Sequence, residues 1–151
     1  MTKAVCTLIF LILYTAGSTL AQTDSTGTLE IEFTGIKTAE GQVAIGINYA
    51  PEGFPNEPDV EIQYSKEGLK DGKLTIQEMD LPYGTYAISA LDDLDKNIEM
   101  KMFLGIPKEA YGFSGNPNAK LRAPKFDECS FELNQAHHKI TIHLKNFGKK
   151  E

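Results

Sequence analysis

Apolar and polar residues alternate with a period of two through most of this chain. In residues 28–34 (TLEIEFT), Leu29, Ile31 and Phe33 fall on one face and Glu30 and Glu32 on the other. Strand side chains alternate between faces, so this stretch reads as a half-buried strand. A turn through Gly35 and Gly41 leads to a second run, with Val43, Ile45, Ile47 and Tyr49 on one side. Pro51, Gly53, Pro55, Asn56 and Pro58 then break the alternation into a loop. A short strand is predicted around residues 61–64, a turn at 68–72, and a strand over 73–79 with Leu74 and Ile76 inward. At residues 80–88 (DLPYGTYAI), Pro82 presets a turn dihedral, Gly84 is read as accepting a positive φ, and Tyr86, Ile88 and Ala90 resume the alternation. The expectation there is a hairpin-like corner with a core tyrosine.

Residues 92–127 have no sustained period, which is long for a loop in a compact domain. Regularity returns over 129–133, a turn is read through 134–138, and residues 140–144 place Ile140, Ile142 and Leu144 inward and His143 outward. About seven short strands and no amphipathic helix predict an all-β protein: a single antiparallel β-sandwich, prealbumin-like or immunoglobulin-like, with one long structured loop.

The first residues follow another pattern. One positive charge at Lys3, an apolar run from Ala4 to Tyr14 and a small-residue exit ending at Ala21 read as a secretory signal peptide over 1–21. The run is shorter than the ~20 residues a membrane span needs. The organisation expected is a signal peptide at 1–21, a polar lead at 22–27, the sandwich domain at 28–147 and a tail at 148–151. The chain is therefore read as exported, periplasmic or extracellular, with no membrane span after signal removal. The whole chain carries a net charge of −6, and Lys3 is the one charged residue of the leader, so the mature chain carries −7. That acidity argues against nucleic acid or anionic lipid as the partner. Loss of Cys6 leaves Cys129 alone, so no intrachain disulfide supports the fold. Cys129 is read as a small buried residue in a strand.

Several motifs, in order, carry a resemblance to a known family. The Leu81-Pro82-Tyr83-Gly84-Thr85-Tyr86-Ala87 corner is followed by Leu104-Gly105-Ile106-Pro107-Lys108-Glu109-Ala110-Tyr111-Gly112-Phe113-Ser114 and by Ala123-Pro124-Lys125-Phe126-Asp127. Together they resemble the exported bacterial family known as domain of unknown function 2141, over about residues 28 to 145. The resemblance implies a secreted β-sandwich to which no biochemical activity is assigned.

The stretch DDLDKN at 92–97 sets Asp93, Asp95 and Asn97 at the first three ligand positions of a calcium loop. Position 6, where such loops need glycine, is Ile98; position 9 is Lys101 and position 12 is Leu104. Similar sequences of the family carry Asp-x-Asn-x-Asn-Gly-x-x-Asp here, so this chain departs at the glycine and the last aspartate. The expectation is a polar turn and no cofactor, with weak calcium binding as the alternative. In the signature, Tyr111 and Phe113 are read as plugs that pack the loop onto the sandwich, or alternatively as a stacking surface for a sugar, and Glu109 as a backbone anchor. His137, His138 and His143 lack the converging spacing of a zinc site. There is no Gly-x-Ser-x-Gly, P-loop or HExxH motif. The reading is an exported non-enzymatic protein, a binding or envelope-structural module using the 92–127 loop. Its partner would be an envelope or extracellular protein or a glycan, with carbohydrate binding as a further alternative.

Overall fold

The computed structural model describes residues 25–104, 106–118 and 122–146. The leader assigned to 1–21 and the tail at 148–151 lie outside the described residues. Among the described residues, ten strands run in the order β1 (Thr26–Thr34), β2 (Gln42–Asn48), β3 (Val60–Ser65), β4 (Lys73–Pro82), β5 (Gly84–Asp93), β6 (Met102–Phe103), β7 (Ile106–Pro107), β8 (Tyr111–Phe113), β9 (Phe131–Leu133) and β10 (His137–His143), with one turn of helix, α1 (Phe126–Cys129), before β9. The count exceeds seven because the aperiodic stretch itself contributes β6, β7 and β8, pieces too short to show alternation.

The strands form two open sheets, mostly antiparallel. One has the order β10-β1-β4, the other β3-β2-β5-β8 with β9 also on β5, and β6 and β7 pair as a separate hairpin. One pairing departs from the antiparallel expectation: β10 lies parallel to β1, Ile31 opposite Ile140 and Phe33 opposite Ile142. Parallel neighbours need a long connection rather than a hairpin, and everything from β2 to β9 intervenes here. The corner at Pro82 is not a hairpin either. With only Tyr83 between them, β4 ends in the three-stranded sheet and β5 begins in the other. The Tyr86 hydroxyl fixes this crossing by donating to the Pro82 carbonyl at 2.5 Å. Gly84 makes the corner without a positive φ.

One buried cluster joins both sheets: Leu29, Ile31 and Phe33 of β1 and Leu74 and Ile76 of β4 with Val43, Ile45 and Ile47 of β2 and Tyr86 and Ile88 of β5. The alternation of β1 is the signature of its one wet face. Tyr49, set by the alternation on one side with Val43, Ile45 and Ile47, lies beyond β2 and is exposed. Cys129 is buried as expected, but at the end of α1 and not in a strand. His137 and His138 belong to β10 and not to a turn. Beyond Gln42, every residue of β2 is buried. Its second face must therefore be covered too.

Candidate functional site

The face of β2 and β5 that points away from the core carries Ala44, Gly46 and Asn48 opposite Leu91, Ser89 and Ala87. These are mostly small side chains, and their shortness leaves a hollow. The groove has a volume of about 220 Å³, with Ala44, Gly46, Ser89 and Leu91 in its floor, Pro55, Asn56 and Pro58 from the β2–β3 loop, Ile98 and Met100 from the β5–β6 loop, and Tyr111 and Phe113 of β8. A Cβ on Gly46 would come within 2.8 Å of both the Pro58 Cβ and the Ser89 Oγ, so glycine lets the proline loop sit this close.

The signature aromatics have divided roles. β8 pairs with β5, Phe113 opposite Ser89 and Tyr111 opposite Leu91. Phe113 is buried with Ala87, Phe126 and Cys129, and the Phe54 ring packs edge-on against it at 6.1 Å. Tyr111 is half-buried, its ring 5.8 Å from that of Phe113, and burial pushes its phenol pKa up. Its backbone also exchanges two hydrogen bonds with Lys145, of 3.1 and 2.9 Å, just past the end of β10. β8 thus spans the gap between the sheets. Gly112 permits this, because a Cβ there would lie 2.4 Å from the His143 carbonyl oxygen. Ser114 continues the seam: its Oγ accepts the Ile88 N–H at 2.9 Å and donates to the Cys129 carbonyl at 2.6 Å. Burial, then the charge of Glu128, pushes the Cys129 thiol up to about 12, far from a reactive thiolate at neutral pH.

Glu109 is buried and holds the β5–β6 loop from beneath. One carboxylate oxygen accepts the Leu94 N–H at 2.9 Å and the other the Lys101 N–H at 3.1 Å. Asp93 is buried beside it and caps the first turn of that loop. It accepts the Gln42 side-chain amide at 2.7 Å, the Asn97 N–H at 3.2 Å and the Ile98 N–H at 3.1 Å. Burial raises its pKa, but hydrogen bonds from Gln42 and from the Ile98, Asn97 and Lys96 N–H groups outweigh this and hold it below the ordinary aspartate range. Exposed Asp95 meets Lys101 at 3.3 Å, and the Asn97 side-chain oxygen accepts the Glu99 N–H at 2.7 Å.

The calcium-like spacing therefore folds into a turn whose carboxylates are held by N–H groups and a lysine. Ile98 makes the sharp bend where glycine would stand, at φ +67°, a strained value for a β-branched residue. One oxygen each of Asp93, Asp95 and Glu109 lies within 4.8 Å of the others. Glu109, read from sequence as a backbone anchor, supplies the third carboxylate. The histidines occupy separate surroundings: His137 is 3.6 Å from Glu30, His138 stacks on Phe131 at 5.4 Å, and His143 Nδ1 lies 2.5 Å from the Thr34 hydroxyl. No helix among the described residues is long and apolar enough to cross a membrane.

Two open sheets, a groove on the outer face of one, and a seam strand closing the gap between them define a small all-β protein whose long loop is part of the scaffold. The chain belongs to the family described as an uncharacterized protein conserved in bacteria (DUF2141), which it matches over residues 31–141. No curated protein and no solved structure matches it.

Proposed function

We propose that this is an exported, non-enzymatic β-sandwich that binds a small, mainly apolar ligand in the groove on the outer face of β2 and β5. The observation that carries this reading is the floor itself, where Ala44, Gly46 and Ser89 leave about 220 Å³ between two loops. Drug-sized sites begin at about 300 Å³, so this groove suits a single ring or a short chain, such as one aromatic or sugar ring from a larger partner. Polar groups are few among its lining residues: the Ser89 hydroxyl, the Asn56 amide, the Glu61 carboxylate and the Tyr111 phenol can orient a guest. Glu61 is the one carboxylate among the lining residues described, so the facing carboxylate pair of a glycoside hydrolase is not assembled there. Export rests on the leader-like pattern of residues 1–21, and the two-layer reading on the cluster shared by both sheets.

The test is an NMR titration with a set of single-ring fragments, including free monosaccharides. Binding in the groove shifts the amides of residues 44–46, 89–91 and 111–113, and Ser89→Leu, which fills the floor, abolishes those shifts while the protein still melts cooperatively. Shifts confined to other surfaces, or unchanged in the leucine variant, would refute the groove as the site.

A further inference from the structure

We propose that the tip of the β6–β7 hairpin inserts into the interface of an anionic lipid bilayer. The tip carries Met102, Phe103 and Leu104 in succession, with Lys101 before them and Lys108 just after β7. Met102, Phe103 and Leu104 are 53 %, 58 % and 86 % exposed. Scattered exposed apolar residues are normal on any surface, but three in succession at the end of a hairpin form a patch. Leu104 has a left-handed backbone, at φ +49°. The base of the hairpin is fixed to the body. Lys108 N–H donates to the Lys101 carbonyl at 2.8 Å, and the Asn146 side-chain amide donates to the Lys108 carbonyl at 2.7 Å.

Charge selects the occupant. In a chain of net charge −6, this apolar run is bracketed by cations on both sides. The Lys108 ammonium stands 4.6 Å from the centre of the Phe103 ring, and the Lys101 side chain is 61 % exposed beside Asp95. Lysine stems lie along an apolar surface while their ammonium groups stay at the headgroups, so the arrangement suits an apolar wedge under a phosphate layer. The acidity of the remaining surface keeps the rest of the protein off an anionic membrane and limits contact to this tip.

Vesicle sedimentation of the processed protein tests the proposal, using phosphatidylcholine mixed with phosphatidylglycerol against phosphatidylcholine alone. Asp95 offsets Lys101, so the charge of Lys108 predicts binding on the order of fivefold tighter to the mixed vesicles. Phe103→Ser with Leu104→Ser removes binding to both, and Lys101→Gln with Lys108→Gln removes only the preference, with melting curves checking that each variant folds. The proposal is overturned if the protein stays in the supernatant with both vesicles, or if the serine variant sediments like the parent. It is equally overturned if sizing shows an oligomer that the serine variant converts to monomer, which would make the tip a contact between copies.

Discussion

Lys66 and Asp92 form an ion pair inside the protein, the lysine side chain at 0 % exposure and the aspartate at 8 %. Lys66 also donates to the carbonyls of Thr38 and Glu40, so it ties the turn before β2 to the end of β5. Burial pushes the Asp92 pKa up, Lys66 opposes the shift, and the charge of Asp93 adds to it. Strand alternation explains the divergence of these adjacent acids. Asp92 follows Ile88 and Ala90 toward the core side and meets Lys66, while Asp93 follows Ser89 and Leu91 to the groove side and caps the loop.

Breaking this pair from one side leaves a buried charge with no counterion. Lys66→Met is expected to cost about 3–5 kcal/mol, and Asp92→Leu a similar amount. The double variant should cost clearly less than the sum, because neither charge then remains. Its residual cost comes from the Thr38 and Glu40 carbonyls that lose their donor. Urea unfolding of the four proteins measures the coupling, and strictly additive losses would contradict it.

The signature Tyr-Gly-Phe-Ser is predicted to act on stability. Gly112→Ala sets a methyl 2.4 Å from the His143 carbonyl oxygen, so β8 or β10 must move. Overpacking of this kind costs roughly 1–3 kcal/mol. Ser114→Ala strands the buried Ile88 N–H and Cys129 carbonyl, at about 1–3 kcal/mol for each group left unpaired. Amide exchange should accelerate in β8 and at the end of β10 in both variants, and unaltered protection there would sink the seam assignment.

What the alternation revealed, and what it hid, follows from which faces are wet. β1 was legible because Leu29, Ile31 and Phe33 are fully buried while Glu30 and Glu32 are only partly so. The groove was not, since Ala44, Gly46 and Ser89 are small residues whose meaning depends on the loops lying over them. Parallel pairing of β10 with β1 leaves no local trace, because register between distant segments is set by packing. Spacing located Asp93 and Asp95, but Glu109 joins them from beyond the β6–β7 hairpin, a fold-made proximity. The identity of Ile98 argued against the tight turn, yet the carboxylate of Asp93 holds the turn closed around it.

That same capping bears on calcium. Because N–H groups already occupy the Asp93 and Glu109 oxygens, millimolar calcium is expected to leave the melting temperature unchanged, as a ligand stabilises only by preferring the folded state. Asp93→Ala should lower stability by about 1.5–3 kcal/mol without any metal, through the loss of hydrogen bonds to a charged acceptor. Asp95→Ala, at an exposed position, should change little. A calcium-dependent rise in melting temperature that Asp95→Ala abolishes would instead establish a cation site.

Acid should act through Glu128. Arg122 grips its carboxylate with two hydrogen bonds of 2.7 and 2.6 Å, and the Lys125 N–H adds a third at 2.7 Å. These contacts, Arg122 first, hold Glu128 at about 2 against an ordinary value of 4.5. Since the folded value is the lower one, the contribution to stability is fully present above the ordinary value and is lost as the pH falls from there toward about 2. Asp93 acts in the same direction, whereas Asp92, raised on folding, stabilises the fold as the pH drops through its own titration. Arg122→Ala isolates its part: the Glu128 carboxyl should titrate higher than in the parent, with the Lys125 N–H still holding it below the ordinary value, and stability should vary less with pH in the acid range. Both side chains are solvent-accessible, so added salt should move the parent in the same direction as the variant. A parent protein whose Glu128 already titrates near the ordinary value would show that this clamp does not hold in solution.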